Sequence, residues 1–315
     1  MKITFLDVAT LGADITTDAF KAFGEVVTYP TTAPDEVRAH LDGADAVVLN
    51  KIKLNESNLS GNTTLKLICI TATGFDNVDL DYCRAHGIAV CNVVGYSTQC
   101  VAQVAISMAL SLLTHLPEYN QYVADGRYTK GGVANHLIPV YREIYGKTWG
   151  IVGFGNIGHQ VGEVARALGC KVLVNKRTPI EGWECVDFDR ICREADILSI
   201  HTPLSDSTRN LLDDAHIRTM KKDAIVINVA RGAVTDEKAL ADAIAEGRIG
   251  GLGVDVYSAE PMGEDHPFQK ICGLPNVCLT PHMAWGAYET RVRLLDEVAE
   301  NVKSFLDGGR RNRLV

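Results

Sequence analysis

Residues 147–175 read KTWGIVGFGNIGHQVGEVARALGCKVLVN and place a glycine-rich turn between an apolar strand and an amphipathic helix. Gly153, Gly155 and Gly158 have the spacing G-x-G-x-x-G at that turn. The first glycine permits the tight turn, the second lets a pyrophosphate approach the backbone, and the third lets helix and strand pack closely. The N-terminus of the helix, at Asn156-Ile157, then faces the anion. The stretch therefore predicts a βαβ unit that binds a dinucleotide.

Alternating strand and helix patterns continue on both sides of this unit. Before it, the runs ITFLDV, EVVTYP, ADAVVLN, LKLICIT and IAVCNVV indicate strands. The segments DITTDAFKAFG, PDEVRAHLDG and DLDYCRAHG indicate helices between them, each ending at a glycine. From Lys147 onward the strand candidates are KTWGIVGFG, CKVLVNK, ADILSIHTP, DAIVINVA, GLGVDVY and NVCLTPH. Apolar strands separated by helices are typical of parallel sheets covered on both faces, so we expect an α/β protein with two αβ units.

Two long helical patterns frame the second series of strands. The first runs from residue 97 to about 124 with Ser97-Thr98 as N-cap, and suits a connector between domains that also offers a dimer surface. Its apolar face contains Val101, Val104, Ala105, Met108, Leu112 and Leu113. The second, ETRVRLLDEVAENVKSFLDGG, has on one face Val292, Leu295, Val298, Val302 and Phe305.

Composition limits the classes of protein to consider. The 315 residues suffice for about two domains. A hydrophobic fraction of 46% with 22% charged residues is that of a globular protein and excludes general disorder. The formal net charge of -8 argues against nucleic acid or an anionic membrane as a partner, since both require a basic face. A local basic pocket for a small anion remains compatible with this charge.

Cysteine usage and the termini point to a reducing compartment. The nine cysteines are odd in number, lack C-x-x-C spacing and in several cases lie in apolar runs, so we expect buried, reduced thiols. The opening MKITFLDVAT has the pattern of a strand rather than a targeting segment. No run reaches about 18 apolar residues, so we expect a cytoplasmic protein without a membrane span. No His, Cys, Asp and Glu spacing suggests a metal.

The residues after the second strand of the βαβ unit bear on which dinucleotide binds. An acidic residue there would bind the ribose 2′-hydroxyl of NAD. This chain has Asn175, Lys176, Arg177 and Thr178 instead, so no carboxylate is present and two cations and a hydroxyl can receive a 2′-phosphate. We therefore predict a preference for NADP(H). The alternative is an enzyme that uses NAD(H) through other contacts, with Lys176 and Arg177 as solvated surface charges.

Three side chains have the chemistry needed to reduce a 2-keto acid. Arg231 follows the strand AIVINVA, and its planar guanidinium suits a carboxylate and can polarise a carbonyl. His282 follows the strand NVCLT and can transfer a proton near neutral pH. Glu260 can hydrogen-bond the imidazole, fix its tautomer and favour its protonated form. The alternatives are structural: an arginine that caps a helix, a buried histidine and a loop carboxylate.

A family resemblance connects these residues. INVARGAVTDEKAL, GLGVDVYSAEP and LTPHMAW, in that order after GFGNIG, resemble motifs of the D-isomer-specific 2-hydroxyacid dehydrogenases. ATGFDNVD and NVVGYSTQCVAQ also fit, so the resemblance covers almost the whole chain. It implies that His282 is the proton donor in the reduction of a small 2-keto acid, with Glu260 as its partner and Arg231 as the substrate clamp.

Other site residues follow from the same resemblance. It implies that the backbone of Thr73 and Gly74 holds the substrate carboxylate. Trp285 would wall the pocket, with a buried core tryptophan at a domain hinge as the alternative. The implied cofactor contacts are Thr98, Thr202, Pro203, Val229 and Asp255, the last of them near the nicotinamide.

The resemblance also implies an architecture. It consists of two Rossmann-like domains with parallel sheets, in which the cofactor domain, residues 99–286, is inserted into a discontinuous flavodoxin-like substrate domain. Residues 1–98 and the C-terminal helix, 287–315, form that substrate domain. A homodimer is implied as well.

The substrate is narrowed by TGFDNVD, GYSTQCVAQ and PHMAW, which look most like the hydroxypyruvate and glyoxylate reductase branch. Glycerate dehydrogenase activity, which interconverts hydroxypyruvate and D-glycerate, is therefore the first expectation, with glyoxylate as a further substrate. Within the family, D-lactate and phosphoglycerate dehydrogenase-like activities are alternatives; the second is disfavoured because the chain ends at Val315 without a regulatory domain. A non-catalytic NAD(P)-sensing corepressor is an alternative of another class, although a sensor has no need of a proton donor.

Overall fold

The computed structural model describes residues 1–315, and the chain divides into two compact units. The first unit consists of Met1–Ser97 together with Trp285–Val315. The second unit is the continuous segment Thr98–Ala284. One unit is therefore discontinuous in sequence, and the other is inserted into it.

Twelve short strands form two sheets, and the paired strands within each sheet run parallel. In chain order the strands are β1 (Lys2–Phe5), β2 (Glu25–Thr28), β3 (Ala46–Leu49), β4 (Leu67–Ile70), β5 (Ala89–Cys91), β6 (Thr148–Val152), β7 (Lys171–Asn175), β8 (Glu184–Cys185), β9 (Ile197–Ile200), β10 (Ile225–Asn228), β11 (Gly251–Val254) and β12 (Val277–Leu279). All the strands predicted from apolar runs are present, and the two-residue β8 is an addition that its polar sequence does not announce.

Eleven α-helices and four 3-10 segments connect the strands. The helices are α1 (Val37–His40), α2 (Glu56–Leu59), α3 (Leu80–Ala85), α4 (Thr98–Thr114), α5 (Leu116–Ala124), α6 (Arg127–Lys130), α7 (Asn156–Ala167), α8 (Phe188–Glu194), α9 (Asp214–Ile217), α10 (Glu237–Ala245) and α11 (Tyr288–Leu306). The 3-10 segments are Val8–Leu11, Asp18–Phe23, Gly232–Val234 and Pro267–Ile271. The helix expected at residues 14–24 is thus a six-residue 3-10 turn, in which Phe20 packs edge-on against Phe5.

The sheet of the first unit has the strand order β2-β1-β3-β4-β5. This is the flavodoxin-like order, which confirms the expectation for this part of the chain. Alternate residues of the strands face two separate cores. Ile3, Phe5, Val48 and Cys69 pack with α11 in one core, and the opposite faces of β3 and β4 pack with residues of α1, α2 and α3 in the other.

The sheet of the second unit has the order β12-β11-β10-β9-β6-β7-β8. The chain begins this sheet in its interior at β6, adds β7 and β8 on one side, and then returns to β6 to add β9 to β12 on the other. This reversal is the switch point of a Rossmann fold, where ligands bind outside the carboxyl ends of the strands. The glycine-rich turn follows β6, so the fold places it at that point, and the expectation of a Rossmann-like domain is confirmed.

The prediction of a single long helix from residue 97 to about 124 is wrong. This segment consists of two helices, α4 and α5, which meet at an angle of 62°. Between them His115 has a left-handed backbone with φ of 52°. Pro117 lies in the first turn of α5. A proline at this position has no N–H for the carbonyl of residue 113 and its ring clashes with that carbonyl, so a continuous helix is interrupted.

The predicted apolar face of α11 is correct except at one position. Leu295, Val298 and Val302 are buried, but Val292 is 37% exposed. Leu294 takes its place in the core with no exposed surface. The helical pattern fits either residue, because both lie within about one turn of the others, and packing against the sheet decides between them.

The cysteines are reduced, and most of them are buried as small apolar side chains. All nine cysteines are free thiols, and six of them are buried. Burial raises the pKa of Cys91 to about 11 and that of Cys192 to about 12, so these thiols remain protonated at neutral pH.

No single helix is long and apolar enough to cross a membrane; α4 and α5 reach that length and composition only as a bent pair.

Candidate active site

The glycine-rich turn after β6 is built so that two of its three glycines cannot carry a side chain. A Cβ on Gly153, which has φ of 87°, would lie 2.5 Å from the backbone nitrogen of Thr202. A Cβ on Gly158 would lie 2.2 Å from the carbonyl oxygen of Gly153. The third, Gly155, has no neighbouring atom within 4 Å of an added Cβ. The turn is therefore closed toward the protein and open at Gly155, on the side where a ligand can approach.

Helix α7 begins at this opening. The backbone N–H groups of Asn156, Ile157 and Gly158 make no hydrogen bond to the protein, and no side chain caps the helix. Unpaired N–H groups and the positive end of the helix dipole together favour an anion. A dinucleotide pyrophosphate fits both the open space at Gly155 and these donors.

The residues after β7 are exposed and basic. Asn175 ends the strand, and its side-chain amide donates to the carbonyl oxygen of Val186 at 3.2 Å. Lys176, Arg177 and Thr178 are exposed and make no hydrogen bond or ion pair. No carboxylate of the protein neutralises the two cations. They are therefore available to an anionic group bound beside the turn.

His282 and Glu260 are in direct contact. The imidazole Nδ1 of His282 lies 2.8 Å from Oε1 and 2.7 Å from Oε2 of Glu260. Glu260 is itself held by the backbone N–H of Tyr257, which donates to Oε1 at 3.2 Å. With Nδ1 directed at the carboxylate, Nε2 is the nitrogen that can exchange a proton with a substrate. The structure thus brings together two of the three predicted catalytic residues.

The backbone of His282 is in the left-handed region, with φ of 53°. A non-glycine residue in this region costs about 1 kcal/mol or more and persists only where its surroundings hold it. Here the surroundings are the carboxylate of Asp255, which is 1% exposed. It accepts from the hydroxyl of Thr280 at 2.6 Å and from the backbone N–H groups of Met283 at 2.8 Å and Ala284 at 2.9 Å.

Asp255 therefore has a structural role that the sequence did not suggest. Its carboxylate accepts three hydrogen bonds from the segment on both sides of His282 and fixes that segment to the end of β11. A contact from Asp255 to the nicotinamide stays a prediction.

Arg231 lies in a turn that the side chain of Asn228 holds closed. The Asn228 amide donates to the carbonyl oxygen of Arg231 at 2.9 Å, and its oxygen accepts from the N–H of Ala230 at 3.0 Å. The next residue, Gly232, packs against the peptide between Tyr257 and Ser258, where an added Cβ would lie 2.1 Å from the Tyr257 carbonyl carbon. The loop that carries Arg231 and the loop that carries Glu260 are therefore in backbone contact, and Gly232 makes this approach possible.

A buried polar network supports the Glu260 loop, and sequence reasoning missed it. Glu237, at the start of α10, accepts from the backbone N–H of Ser258 at 2.8 Å and from the Ser258 hydroxyl. Its Oε2 also lies 3.1 Å from Nε2 of His266, and both side chains are less than one tenth exposed. The sequence shows Glu237 in DEKAL and His266 in DHPF as titratable residues, but nothing in it indicates that the two are in contact.

His201 is a further titratable group near the turn, and it is partly buried. Its Nε2 lies 3.0 Å from the hydroxyl of Ser199, which accepts from the indole N–H of Trp149 at 2.9 Å. Burial lowers the pKa of His201 from 6.5 to about 3, so the ring is neutral at physiological pH. Thr202 and Pro203 follow directly, and Thr202 is the residue packed against Gly153.

The remaining predicted site residues lie at the ends of other elements of the second unit. Thr98 is the first residue of α4, and Val229 is a buried residue directly after β10. Neither the geometry of these residues nor that of Thr202 and Pro203 identifies a ligand. No group of three or more His, Cys, Asp or Glu side chains is arranged to hold a metal ion.

Within the first unit, Thr73 and Gly74 follow β4. The Thr73 hydroxyl donates to the carbonyl oxygen of Val93 at 2.8 Å, and the side-chain amide of Asn92 donates to the Thr73 carbonyl at 2.7 Å. The backbone N–H groups of Thr73 and Gly74 make no hydrogen bond to the protein. A rigid turn with two free N–H groups suits a carboxylate. Trp285 is partly buried and packs against the core of this unit.

Comparison with known proteins places these features in a family. The sequence profile of the D-isomer specific 2-hydroxyacid dehydrogenase NAD binding domain matches residues 106–284. Glycerate dehydrogenase of Methylorubrum extorquens is 35% identical over 313 residues, which cover 99% of this chain and 98% of that protein.

Two solved structures show the same fold. An acyclic imino acid reductase in complex with NADPH and D-Arg has a TM-score of 0.87 at 28% identity, covering 100% of both chains. D-Lactate dehydrogenase from Aquifex aeolicus, complexed with NAD and lactic acid, has a TM-score of 0.86 at 29% identity, covering 97% of this chain and 96% of that chain. As its motifs predicted, the chain therefore belongs to the D-isomer-specific 2-hydroxyacid dehydrogenase family, oxidoreductases that act on a CH–OH group with a nicotinamide cofactor.

Proposed function

We propose that this protein reduces hydroxypyruvate to D-glycerate, and glyoxylate as a second substrate. The observation that carries the proposal is the His282–Glu260 pair, with 2.7 Å between Nδ1 and Oε2, at the carboxyl edge of a Rossmann sheet. A sensor of NAD(P)H has no use for such a pair. The 35% identity to a glycerate dehydrogenase over nearly the whole chain supports the choice of substrate.

The reaction divides between the cofactor and three side chains. A reduced nicotinamide cofactor held at the glycine-rich turn by Gly155 and the N-terminus of α7 would supply the hydride that the carbonyl carbon accepts. Nε2 of His282 gives a proton to the carbonyl oxygen as charge develops there, and Glu260 stabilises the cationic imidazole before the transfer. Arg231 binds the substrate carboxylate through its planar guanidinium and polarises the carbonyl. The product is the 2-hydroxy acid, and the reverse reaction returns the proton to His282.

In this proposal the first unit also binds substrate. In this proposal Met1–Ser97 and Trp285–Val315 form the substrate domain, and Thr98–Ala284 forms the cofactor domain. The free backbone N–H groups of Thr73 and Gly74 would hold the substrate carboxylate. A role for Trp285 as a wall of the substrate pocket stays a prediction.

The cofactor is NADP(H) in this proposal. Support comes from Lys176 and Arg177, which are exposed and have no carboxylate partner, and from the absence of an acidic residue after β7. The structural relatives include one complexed with NADPH and one complexed with NAD, so the fold accommodates either dinucleotide. The adenosine 2′-phosphate would lie beside residues 176–178.

A substrate and cofactor panel tests this proposal. Hydroxypyruvate, glyoxylate, pyruvate and a larger 2-keto acid are each assayed with NADPH and with NADH, and kcat/KM is compared. The proposal expects the highest value for hydroxypyruvate with NADPH, and D-glycerate as the product. A higher value for pyruvate would assign a D-lactate dehydrogenase, a preference for NADH would refute the cofactor choice, and no turnover with any of the acids would favour the sensor.

We also propose that the protein is a homodimer. Exposed apolar side chains are concentrated in α5 and the segment that follows it: Leu116, Val123, Val133, Leu137, Ile138, Val140, Tyr141 and Tyr145. Such a concentration of exposed apolar residues in one part of the chain is typical of a protein interface. Light scattering coupled to size exclusion should give twice the chain mass of 34.2 kDa, and a monomer mass would refute this assembly.

A cytoplasmic location completes the proposal. Nine free cysteines, several of them buried, suit a compartment that keeps thiols reduced.

A further inference from the structure

A single aromatic ring links the segment that carries the two exposed cations to the phosphate-binding turn. Trp183 ends that segment, and its ring lies on α7 at Gly162, where an added Cβ would be 2.9 Å from two ring carbons. The same ring contacts Phe154 of the glycine-rich turn, with 4.7 Å between ring centroids and 61° between planes. Phe154 is 4% exposed, so the ring rests on a fixed surface.

Arg166 of α7 stacks on a face of the Trp183 ring. Its guanidinium carbon lies 3.6 Å from the Trp183 ring centroid, the distance of a stacked cation–π contact. Its Nη2 also donates to the carbonyl oxygen of Gly182 at 2.8 Å. Trp183 and its neighbour Gly182 are therefore both fixed to α7 by Arg166.

Between its two ends the segment has little structure of its own. It leaves β7 at Asn175 and reaches Trp183 after residues 176–182, among which Ile180 donates a long hydrogen bond to Sγ of Cys185 at 3.5 Å. A chain of this length samples many conformations unless both ends are fixed. The attachment at Trp183 therefore limits the conformations open to residues 176–182, which include Lys176 and Arg177.

We propose that Trp183 and Arg166 are positioning residues that set the discrimination between dinucleotides with and without a 2′-phosphate. They do so by holding Lys176 and Arg177 beside the phosphate-binding turn, and neither touches the 2′-phosphate itself. This inference rests on the proposed preference for NADP(H). Loss of the attachment would weaken binding of the 2′-phosphate and leave the pyrophosphate and adenosine contacts in place.

Calorimetric titration with two adenosine fragments separates these contributions. Adenosine 2′,5′-bisphosphate carries the 2′-phosphate, and adenosine 5′-monophosphate lacks it. The double variant Lys176→Ala/Arg177→Ala should lose about tenfold in affinity for the bisphosphate and change by less than about twofold for the monophosphate. An unchanged bisphosphate affinity in this variant would refute the cofactor preference, and the inference with it.

The positioning role is tested by Trp183→Ala and Arg166→Met. Each should lower the bisphosphate affinity by about fivefold with the monophosphate affinity unchanged, because only the cations have lost their place. Trp183→Phe keeps a ring on Gly162 and should restore most of the affinity. Arg218→Met, which removes an exposed arginine paired with Asp214, is the matched control and should bind both fragments as the parent does.

Two results would overturn the inference. If the lysine and arginine double variant loses affinity but Trp183→Ala and Arg166→Met keep it, the cofactor preference stands and the positioning role is wrong. If Trp183→Ala or Arg166→Met weakens both fragments equally, the cluster supports the fold of the turn and has no part in discrimination.

Discussion

At the scale of the residue, His282, the proposed proton donor, is held in place by several parts of the surrounding protein. Its imidazole is oriented by Glu260, and its left-handed backbone is held by hydrogen bonds from Thr280, Met283 and Ala284 to Asp255. Orientation before the reaction is what makes a general acid effective, since a misplaced donor loses the geometry of transfer. The proposed donor is thus fixed on both sides, through its ring and through its backbone.

A second histidine offers a pH-dependent test of burial. His201 has a pKa of about 3 in the folded chain and 6.5 as its ordinary value, so the unfolded chain takes up a proton that the folded chain excludes. Folding stability from this residue is complete above pH 6.5 and is lost as the pH falls toward 3. Between pH 7.5 and 5.0 the parent protein should lose about 2 kcal/mol of unfolding free energy from His201.

His201→Gln removes this contribution and leaves all other titrating groups unchanged. Urea unfolding of the parent and the variant at the two pH values gives the comparison, and the variant should lose less stability on acidification. Equal losses in both proteins would show that His201 is protonated in the folded state.

At the scale of the element, the contact between two loops is the feature most sensitive to a small change. Gly232 leaves no room for a side chain against the Tyr257–Ser258 peptide, and an added Cβ would lie 2.1 Å from a backbone carbon. Gly232→Ala should therefore shift the Arg231 and Glu260 loops apart and lower kcat by about 100-fold. The nearby Gly263 has no atom within 4 Å of an added Cβ, so Gly263→Ala is the matched control and should keep the parent kcat. A parent-like kcat in Gly232→Ala would mean that this contact does not govern the site.

Helix α11 gives a prediction about packing. Leu294 is fully buried, so Leu294→Ala should lower the unfolding free energy by about 2–5 kcal/mol through lost burial and a cavity. Val292 is 37% exposed, and Val292→Ala should change the unfolding free energy by less than about 0.5 kcal/mol. Denaturant unfolding of the two variants measures both values. If Val292→Ala lost more unfolding free energy than Leu294→Ala, Val292 would belong to the buried face, as the helical pattern predicted.

The same helix shows where sequence reasoning reaches its limit for elements. Hydrophobic spacing predicts that α11 exists, but it does not choose between Leu294 and Val292, because the core that decides is made of residues distant in sequence. The break at Pro117 had a local signal that the apolar spacing of the long pattern obscured. Strand existence was predictable from apolar runs, whereas the two-residue β8 depends on its pairing with β7.

At the scale of the whole molecule, the sequence predicted features that depend on neighbouring residues, but it did not predict contacts between residues that are distant along the chain. The glycine-rich turn and the strand ends that carry Arg231 and His282 follow from local sequence, and the family resemblance suggested Glu260 as a partner 22 residues from His282. The pairing of Glu237 with His266 and the packing of Gly232 on Tyr257 are contacts between distant residues, which only the fold brings together.

The net charge of -8 also has a clearer meaning at this scale. It argues against a polyanion as partner, but the groups proposed to bind anions are local: the N-terminus of α7, Arg231, and the exposed pair Lys176 and Arg177. Small anions are recognised by such groups at short range, where the total charge matters little after screening by salt.

The central claim is that His282 gives the proton in hydroxypyruvate reduction, and one measurement tests it most directly. The kcat of His282→Gln is compared with that of the parent, with NADPH as cofactor, alongside the NADPH dissociation constant of both proteins. We predict that kcat falls by about 1000-fold and that the dissociation constant changes by less than about twofold, since His282 acts on the substrate oxygen. A variant that keeps the parent kcat with hydroxypyruvate would contradict the claim.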